Sequence, residues 1–367
     1  MAIPRGAGSE LAITVRPQPA DGILESFTRL AAALRELDAV VVHLLVYGDT
    51  AAAQAGSEAM RRILGEVDWP VTWVEGAACG QGPIAGLQVF AFAGGDVQRI
   101  RINGKVVGSV FEDGMFRHCV LGGIAPGRVL APRDDQARQA LERLDCALAL
   151  GGFGFADVVR TWFFLKDILA WYGEFNRART QMCRGISFRT GSLPASTGVG
   201  AGNACSAALT TAAWAARPLR PDARVMEVAS PLQCPAPAYG SSFSRAMEMS
   251  YAEGRRLLVS GTASIAPEGH TLWQDDPRRQ LEQSMNVVER LLQARGFELS
   301  DLTRVTGYFK HRDQARLFDE WRAAQGLPPM PLVLAQCDIC REDLLFELEA
   351  DAWTAAAPPP ESRLVSP

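Results

Sequence analysis

The sequence predicts an α+β protein in which one module is written three times, each copy a mixed sheet covered by helices. The three copies are expected to close into an intramolecular pseudo-trimer. Three observations carry this expectation. First, three β-rich segments superpose in the same order: LDAVVVHLLVYGD (Leu37 to Asp49), FADVVRTWFFLKD (Phe155 to Asp167) and LSDLTRVTGYFKH (Leu299 to His311). Second, each is flanked by helical stretches with apolar residues at helical spacing. The leading ones are Ile23 to Leu37, Asp135 to Leu150 and Pro277 to Arg295; the trailing ones are Ala51 to Leu64, Ile168 to Cys183 and Gln314 to Gln325. Third, every copy ends in a Pro-marked loop and a final strand pair: WPVTWVEG…LQVFAFAG, LPASTGVG…SAALTTAAW and MPLVLAQC…LLFELEADAW.

The second and third copies also open with a hairpin, FRHCVLGGIAPG (Phe116 to Gly127) and RRLLVSGTASIAPEG (Arg255 to Gly269). The first copy is expected to be truncated and to begin almost directly at its helix. The boundaries read as 1–97 for a truncated first module with an N-terminal tail, 98–216 for the second, and 217–225 for a Pro-rich linker (RPLRPDAR). The third module follows at 226–355, with a disordered tail at 356–367. Strands that are apolar on one side, with two helices per copy, imply a sheet covered on one face. Similar copies associate around a symmetry axis, so one chain closes its own ring, a monomer is expected, and ligand sites fall between neighbouring copies.

Composition narrows the function. The chain has 367 residues, 48% hydrophobic and 21% charged, with a net charge of −4, which argues against a nucleic-acid binder. Positive charge is mostly arginine, suited to gripping carboxylates. Eight cysteines scattered through apolar segments read as free thiols in a reducing, cytoplasmic compartment. No apolar run is long enough to span a bilayer. Cys337 and Cys340 form a C-x-x-C, but no second pair accompanies it and the four histidines are dispersed, so neither a metal nor a cofactor is expected.

The closing segment REDLLFELEADAW (Arg341 to Trp353) concentrates the chemistry. It alternates like a strand, with Leu345, Glu347 and Glu349 on one face. A carboxylate on an apolar strand has to be paired, protonated or facing a cavity. Among the three closing strands, this alone keeps an acid.

Four stretches together resemble the RidA/YjgF fold: YGSSFSRA (Tyr239 to Ala246), SGTASIAPEG, SDLTRVTGYFK and FELEADA. The whole length, with its truncated first copy and with LPASTGVGAGN (Leu193 to Asn203) in the second, further resembles the chorismatases. CREDLLFELEADAW is the most specific part of that likeness. RidA-type imine deaminases carry an arginine in a Pro-Ala-Arg-Ser stretch; here the matching positions read Pro194, Ala195, Ser196 and Pro329, Met330, Pro331, so that arginine is absent.

The resemblance implies hydrolytic cleavage of the enolpyruvyl ether of chorismate to pyruvate plus a hydroxybenzoate, 3-hydroxybenzoate favoured, or a dihydroxycyclohexadiene carboxylate. Glu347 would be the general acid that protonates the terminal methylene, and Glu349 is the reserve candidate. Cys340, just ahead of the acid strand, is similar to a thiol of the 3-hydroxybenzoate-forming branch; a buried structural cysteine is the alternative. The carboxylates of such a substrate need arginines. Arg160 alternates with Trp162 and Phe164, an unusual place for a charge unless it reaches a ligand or a partner acid. Arg179 in YGEFNRART, Arg189 ahead of LPASTG, and Arg245 with Tyr239 beside it complete the substrate-binding set. The alternatives are a RidA-like enamine or imine deaminase, and a non-catalytic small-ligand-binding protein.

Overall fold

The computed structural model describes residues 1–5, 8–18, 20–78 and 82–355; the tail expected at 356–367 and Cys79 lie outside the described residues. The first module runs β1 (Ala2–Arg5), β2 (Gly8–Val15), α1 (Ile23–Glu36), β3 (Ala39–Gly48), α2 (Ala53–Leu64), β4 (Val71–Glu75), β5 (Ala77–Ala78) and β6 (Ile84–Ala93). The second comprises β7 (Gln98–Ile102), β8 (Lys105–Glu112), β9 (Phe116–Ile124), α3 (Arg133–Leu150), β10 (Val158–Leu165), α4 (Tyr172–Cys183), β11 (Ala195–Val199) and β12 (Leu209–Pro218). The third comprises β13 (Arg224–Val228), β14 (Ala246–Tyr251), β15 (Gly254–Ala263), α5 (Pro277–Ala294), β16 (Leu302–Phe309), α6 (Arg316–Ala324), β17 (Leu332–Gln336) and β18 (Phe346–Thr354).

Each module makes its own mixed sheet, in the orders β1-β2-β6-β3-β4, β11-β10-β12-β9-β8-β7 and β13-β14-β15-β18-β16-β17-β5. The expected three-copy α+β architecture is therefore present. The helices form where apolar spacing and end signals agree. In α5, Asp276 caps the Arg279 amide at 3.0 Å and Pro277 takes the first helical position. Leu281, Ser284, Met285, Val288, Leu291 and Leu292 then bury one stripe against the sheet.

One expectation needs correction. The segment MAIPRGAGSE, read as a loose tail, contributes two strands. Residues Ala2–Arg5 pair antiparallel with Gly8–Leu11, Ile3 is buried, and the terminal amino group of Met1 donates to the Ala12 carbonyl at 2.8 Å. The first module thus owns a hairpin, because β2 carries the apolar alternation Leu11, Ile13, Val15 and finds β6 beside it. Its truncation amounts to the outermost strand, which the other modules supply as β7 and β13. The connection at 217–225 runs from the end of β12 through a turn into β13.

Two kinds of core follow. Beneath its own helices, each module buries a separate cluster, such as Phe27, Leu44 and Leu87 in the first or Leu257, Leu291 and Phe346 in the third. On the opposite sheet faces, side chains from all three modules meet in one further cluster that includes Tyr47, Phe92, Trp162, Trp214, Met247 and Tyr308. The central strands are covered on both faces, so β10 and β16 are buried over their whole length.

A β-bulge recurs at the same place in each central strand, before His43, Arg160 and Arg304. These three residues lead into the shared core. Arg304 forks onto Asp351 (2.6 and 3.1 Å) and also reaches Glu349 (2.7 Å) and Gln88 of the first module (3.1 Å). Arg160 of the second module donates to Glu349 of the third at 2.5 Å. Tyr47 and Tyr308 join the first and third modules through their hydroxyls at 3.0 Å. Among the described residues, no helix is long and apolar enough to cross a membrane, and the seven described cysteines are free thiols.

Glu349 is wholly buried, and it accepts further hydrogen bonds from Trp162 Nε1 (2.9 Å) and Thr197 Oγ1. Burial alone would raise its pKa, but Arg304 and Arg160 outweigh burial and hold it at about 2. A group depressed in this way stabilises the fold above its ordinary value of 4.5, and that contribution is lost as pH falls toward 2. Glu349→Ala leaves Arg160 without its acid in a dry core, takes one of two acids from Arg304, and should cost about 3–5 kcal/mol. The check is the urea midpoint at pH 7, where an unchanged midpoint would exclude this role.

Candidate active site

Between the second and third modules lies a cavity of about 210 Å³. That is smaller than the roughly 300–1,000 Å³ of drug-sized pockets and suits a compact metabolite. One wall is the face of α4 that carries Tyr172, Asn176 and Arg179 at i, i+4 and i+7; the other is the 239–245 segment of the third module. Strand β11 contributes Ser196 and Gly198, while Glu347 on β18 and Cys340 close the end.

Glu347 sits two residues before Glu349 on the same face of β18, yet its surroundings are opposite. It is 5% exposed, and among the described residues its carboxyl has neither a hydrogen-bond nor an ion-pair partner. Burial first, and then the fixed charge of Glu349, push its pKa up to about 8, against weaker opposing pulls from Arg160 and Arg245. At neutral pH it is a carboxylic acid that presents its proton to the cavity. Gly261 lies directly behind it: a Cβ added there would overlap Glu347 Oε1, so only glycine leaves room for the acid in this pose. The Gly261 amide is fixed by Thr197 Oγ1 at 3.0 Å, which links the acid's backing to the Glu349 network.

The opposite chemistry lines the rest of the cavity. Arg179 and Arg245 both lie over the Phe243 ring, at 5.6 and 5.5 Å from its centroid, and Arg245 and Arg341 both lie over Tyr239, at 5.4 and 5.6 Å. Three guanidinium groups and two rings thus form one ladder. Backbone carbonyls fix two of the cations: Arg245 binds the Cys234 oxygen through Nε and Nη2, and Arg341 binds that of Gly269. Asn176 holds one Nη of Arg179 at 2.6 Å, while Arg179 Nε is buried without a partner among the described residues. No lining residue offsets this charge with an anion, because the acid, Glu347, is protonated. Guanidinium groups arranged in this way can accept carboxylates.

Of the residues singled out from sequence, the structure brings Glu347, Cys340, Arg179, Tyr239 and Arg245 to this cavity. It takes Arg160 and Arg189 elsewhere. Arg160 is fully buried one layer behind, with a partner acid, Glu349, as its target. Arg189 is an exposed residue paired to Asp157, which also holds Arg217. Burial pushes the Cys340 thiol up to about 12, with the neighbouring Glu347 adding to it, so this group is a neutral thiol and not a nucleophile.

The three module interfaces have had three fates. Glu347 stands opposite Tyr308 in its sheet; the same register position is Thr210, opposite Phe164, in the second sheet, and Gly86, opposite Tyr47, in the first. At the seam between the third and first modules, Val333 fills the space over Gly86, and β5 pairs with β17 across it.

The family model for endoribonuclease L-PSP matches residues 235–354, the third module. A chorismatase from Streptomyces hygroscopicus is 27% identical over 221 residues, covering 53% of this chain and 61% of that relative. A 3-hydroxybenzoate synthase from the same organism is 25% identical over 225 residues, or 54% of this chain and 64% of the relative. The matched region therefore spans under two thirds of either relative. The crystal structure of a chorismatase at 1.08 Å superposes with a TM-score of 0.63 at 19% identity, covering 94% of this chain and 98% of the other, so the whole fold is shared. The chain thus has the three-module fold of a chorismatase.

Several residues of this cavity escape a reading that starts from charge and motif. Tyr172 and Asn176 share a helix face with Arg179, and that spacing was the available signal. Arg341 opens the segment singled out for its chemistry but has no individual signal there, and Gly261 has none, since a loop arginine and a strand glycine are both ordinary. Gly261→Ala should displace the Glu347 carboxyl and lower turnover more than tenfold while the thermal midpoint moves little. Steady-state kinetics beside a melting curve checks this, and full turnover would remove Gly261 from the machinery.

Proposed function

We propose that this chain cleaves the enolpyruvyl ether of chorismate, releasing pyruvate, with Glu347 as general acid. The observation that carries the proposal is a protonated, unpartnered carboxyl facing a small cavity lined by three guanidinium groups. The likeness to relatives named chorismatase and 3-hydroxybenzoate synthase supports this choice of substrate.

The residues divide the work as follows. Arg179, Arg245 and Arg341 take the two carboxylates and fix the ring against Phe243 and Tyr239. Glu347 gives its proton to the terminal methylene of the enol ether, leaving a cation centred on the ether-bearing carbon. The resulting Glu347 carboxylate is then close to guanidinium groups that stabilise it. Capture of the cationic carbon by water gives a hemiketal that collapses to pyruvate and a dihydroxycyclohexadiene acid. Capture by the substrate's own ring hydroxyl, followed by loss of a ring proton and departure of pyruvate, gives 3-hydroxybenzoate with no net uptake of water. The neutral Cys340 thiol, with Ala263 and Ile265 also lining the cavity, supports the second course by limiting room for water beside Glu347.

Incubation with chorismate should release pyruvate, with 3-hydroxybenzoate as the main aromatic product by chromatography; well-folded protein that yields no pyruvate would sink the proposal. Glu347→Gln should lose at least about 100-fold in turnover, the usual scale for removing a general acid. The pH profile has a definite sign. The active form is protonated, so kcat/KM should hold through neutral pH and fall as pH rises through about 8. Because the folded-state pKa is raised, the buried acid also costs stability above its ordinary 4.5, increasingly up to about 8. Glu347→Gln should therefore melt no lower than the parent at pH 8. Cys340→Ala should raise the share of the dihydroxycyclohexadiene acid, and an unchanged product ratio would rule out its part in excluding water.

A further inference from the structure

The cleft between the first and second modules repeats the construction of the candidate active site position by position. It measures about 520 Å³. On its helix wall, Ala53, Ser57 and Met60 occupy the first, fifth and eighth places of α2, as Tyr172, Asn176 and Arg179 do in α4. On its strand wall, Val71 and Trp73 flank Thr72, as Ser196 and Gly198 flank Thr197. Thr72 Oγ1 holds the Gly123 amide at 2.8 Å, as Thr197 holds Gly261. Thr210 stands where Glu347 would be.

The substitutions change the chemistry in one direction. The acid is gone, and Met60 stands on the helix where the other site has Arg179. Tryptophan and methionine have replaced glycine and arginine on the inner walls. Where Glu347 overlies Gly261, the Lys105 ammonium overlies Gly123, 3.7 Å from the place a Cβ would take. Lys105 and Arg61 both line the cleft, and neither side chain has a hydrogen bond or ion pair among the described residues. Trp69 also lines it, and its buried Nε1 has no hydrogen-bond partner among them. Arg101 is already paired with Asp68, and Glu66 is the one acidic lining residue. An apolar, tryptophan-bearing wall with unengaged cations and an unused indole donor matches a flat ring carrying one carboxylate.

We propose that this cleft is a second, non-catalytic binding site for an aromatic monocarboxylate. The ring packs on Trp73 and Met60, and the carboxylate is met by Lys105 and Arg61. The proposal goes beyond the reaction and stands independently of it, because it rests on the lining of a different interface.

The test is a calorimetric titration of the full chain with 3-hydroxybenzoate as probe. Gly198→Trp blocks the cavity at Glu347 by placing there the residue that the second cleft already tolerates. The pair Lys105→Glu with Arg61→Glu reverses charge at two exposed positions of the second cleft and leaves basal turnover of chorismate unchanged. A binding event that survives Gly198→Trp and weakens at least tenfold in the double charge reversal supports the site. Binding abolished by Gly198→Trp, binding untouched by the charge reversal, or no binding to any form would each overturn it. Pyruvate release is read separately, so failure of the reaction and failure of this site are distinguishable.

Discussion

One carboxylate holds the three modules in register. Glu349 has no exposure and takes hydrogen bonds from Arg160, Trp162 and Thr197 of the second module and from Arg304 of its own. Arg304 continues the chain of contacts to Gln88 of the first module, and the Gln88 amide returns to the Val305 carbonyl at 2.8 Å. An apolar core joining three sheets would tolerate small shifts of one sheet against another. A fork of charged hydrogen bonds does not, because each displaced donor would be left dry. The bulge in each central strand belongs to the same device, since it precedes the residue that each strand directs into the shared core.

The same carboxylate prepares the candidate acid. Two glutamates separated by one residue share a strand face, and their environments push them in opposite directions, to about 2 and about 8. Every cation within reach of β18 at this level is committed to Glu349 or held by backbone carbonyls and stacked rings. Glu347 is left with burial and a neighbouring negative charge. Structural rigidity and proton affinity are thereby two results of one arrangement.

Much of this was legible in the chain itself. Strand and helix periodicities repeat three times with the same spacing, so the module and its helices are set to within a few residues, and LLFELEADAW stands out against LQVFAFAG and AALTTAAW. Other features were hidden for identifiable reasons. The opening hairpin carries Pro4, two glycines and Ser9, which read as turn chemistry; only the neighbouring β6 makes it sheet. An ungapped superposition sets Val42 against Arg160 and Arg304, whereas the bulge makes His43 their counterpart. Arg160 looked like a residue awaiting a ligand because its acid lies 189 positions away. Sequence shows that a charge among aromatics must be paired, but not with what.

The short pairing of β5 with β17 has a consequence for how the site comes into being. In an assembly of separate subunits, a cleft between neighbours exists only above the concentration at which they associate. Here the first module reaches back to the third and the ring is completed by tethered parts, so every folding molecule assembles its cavity as a unimolecular event. Dilution cannot take the cavity apart. Tethering also frees each seam to diverge alone, and the three seams of this chain carry an acid, a lysine and a packed valine at related places.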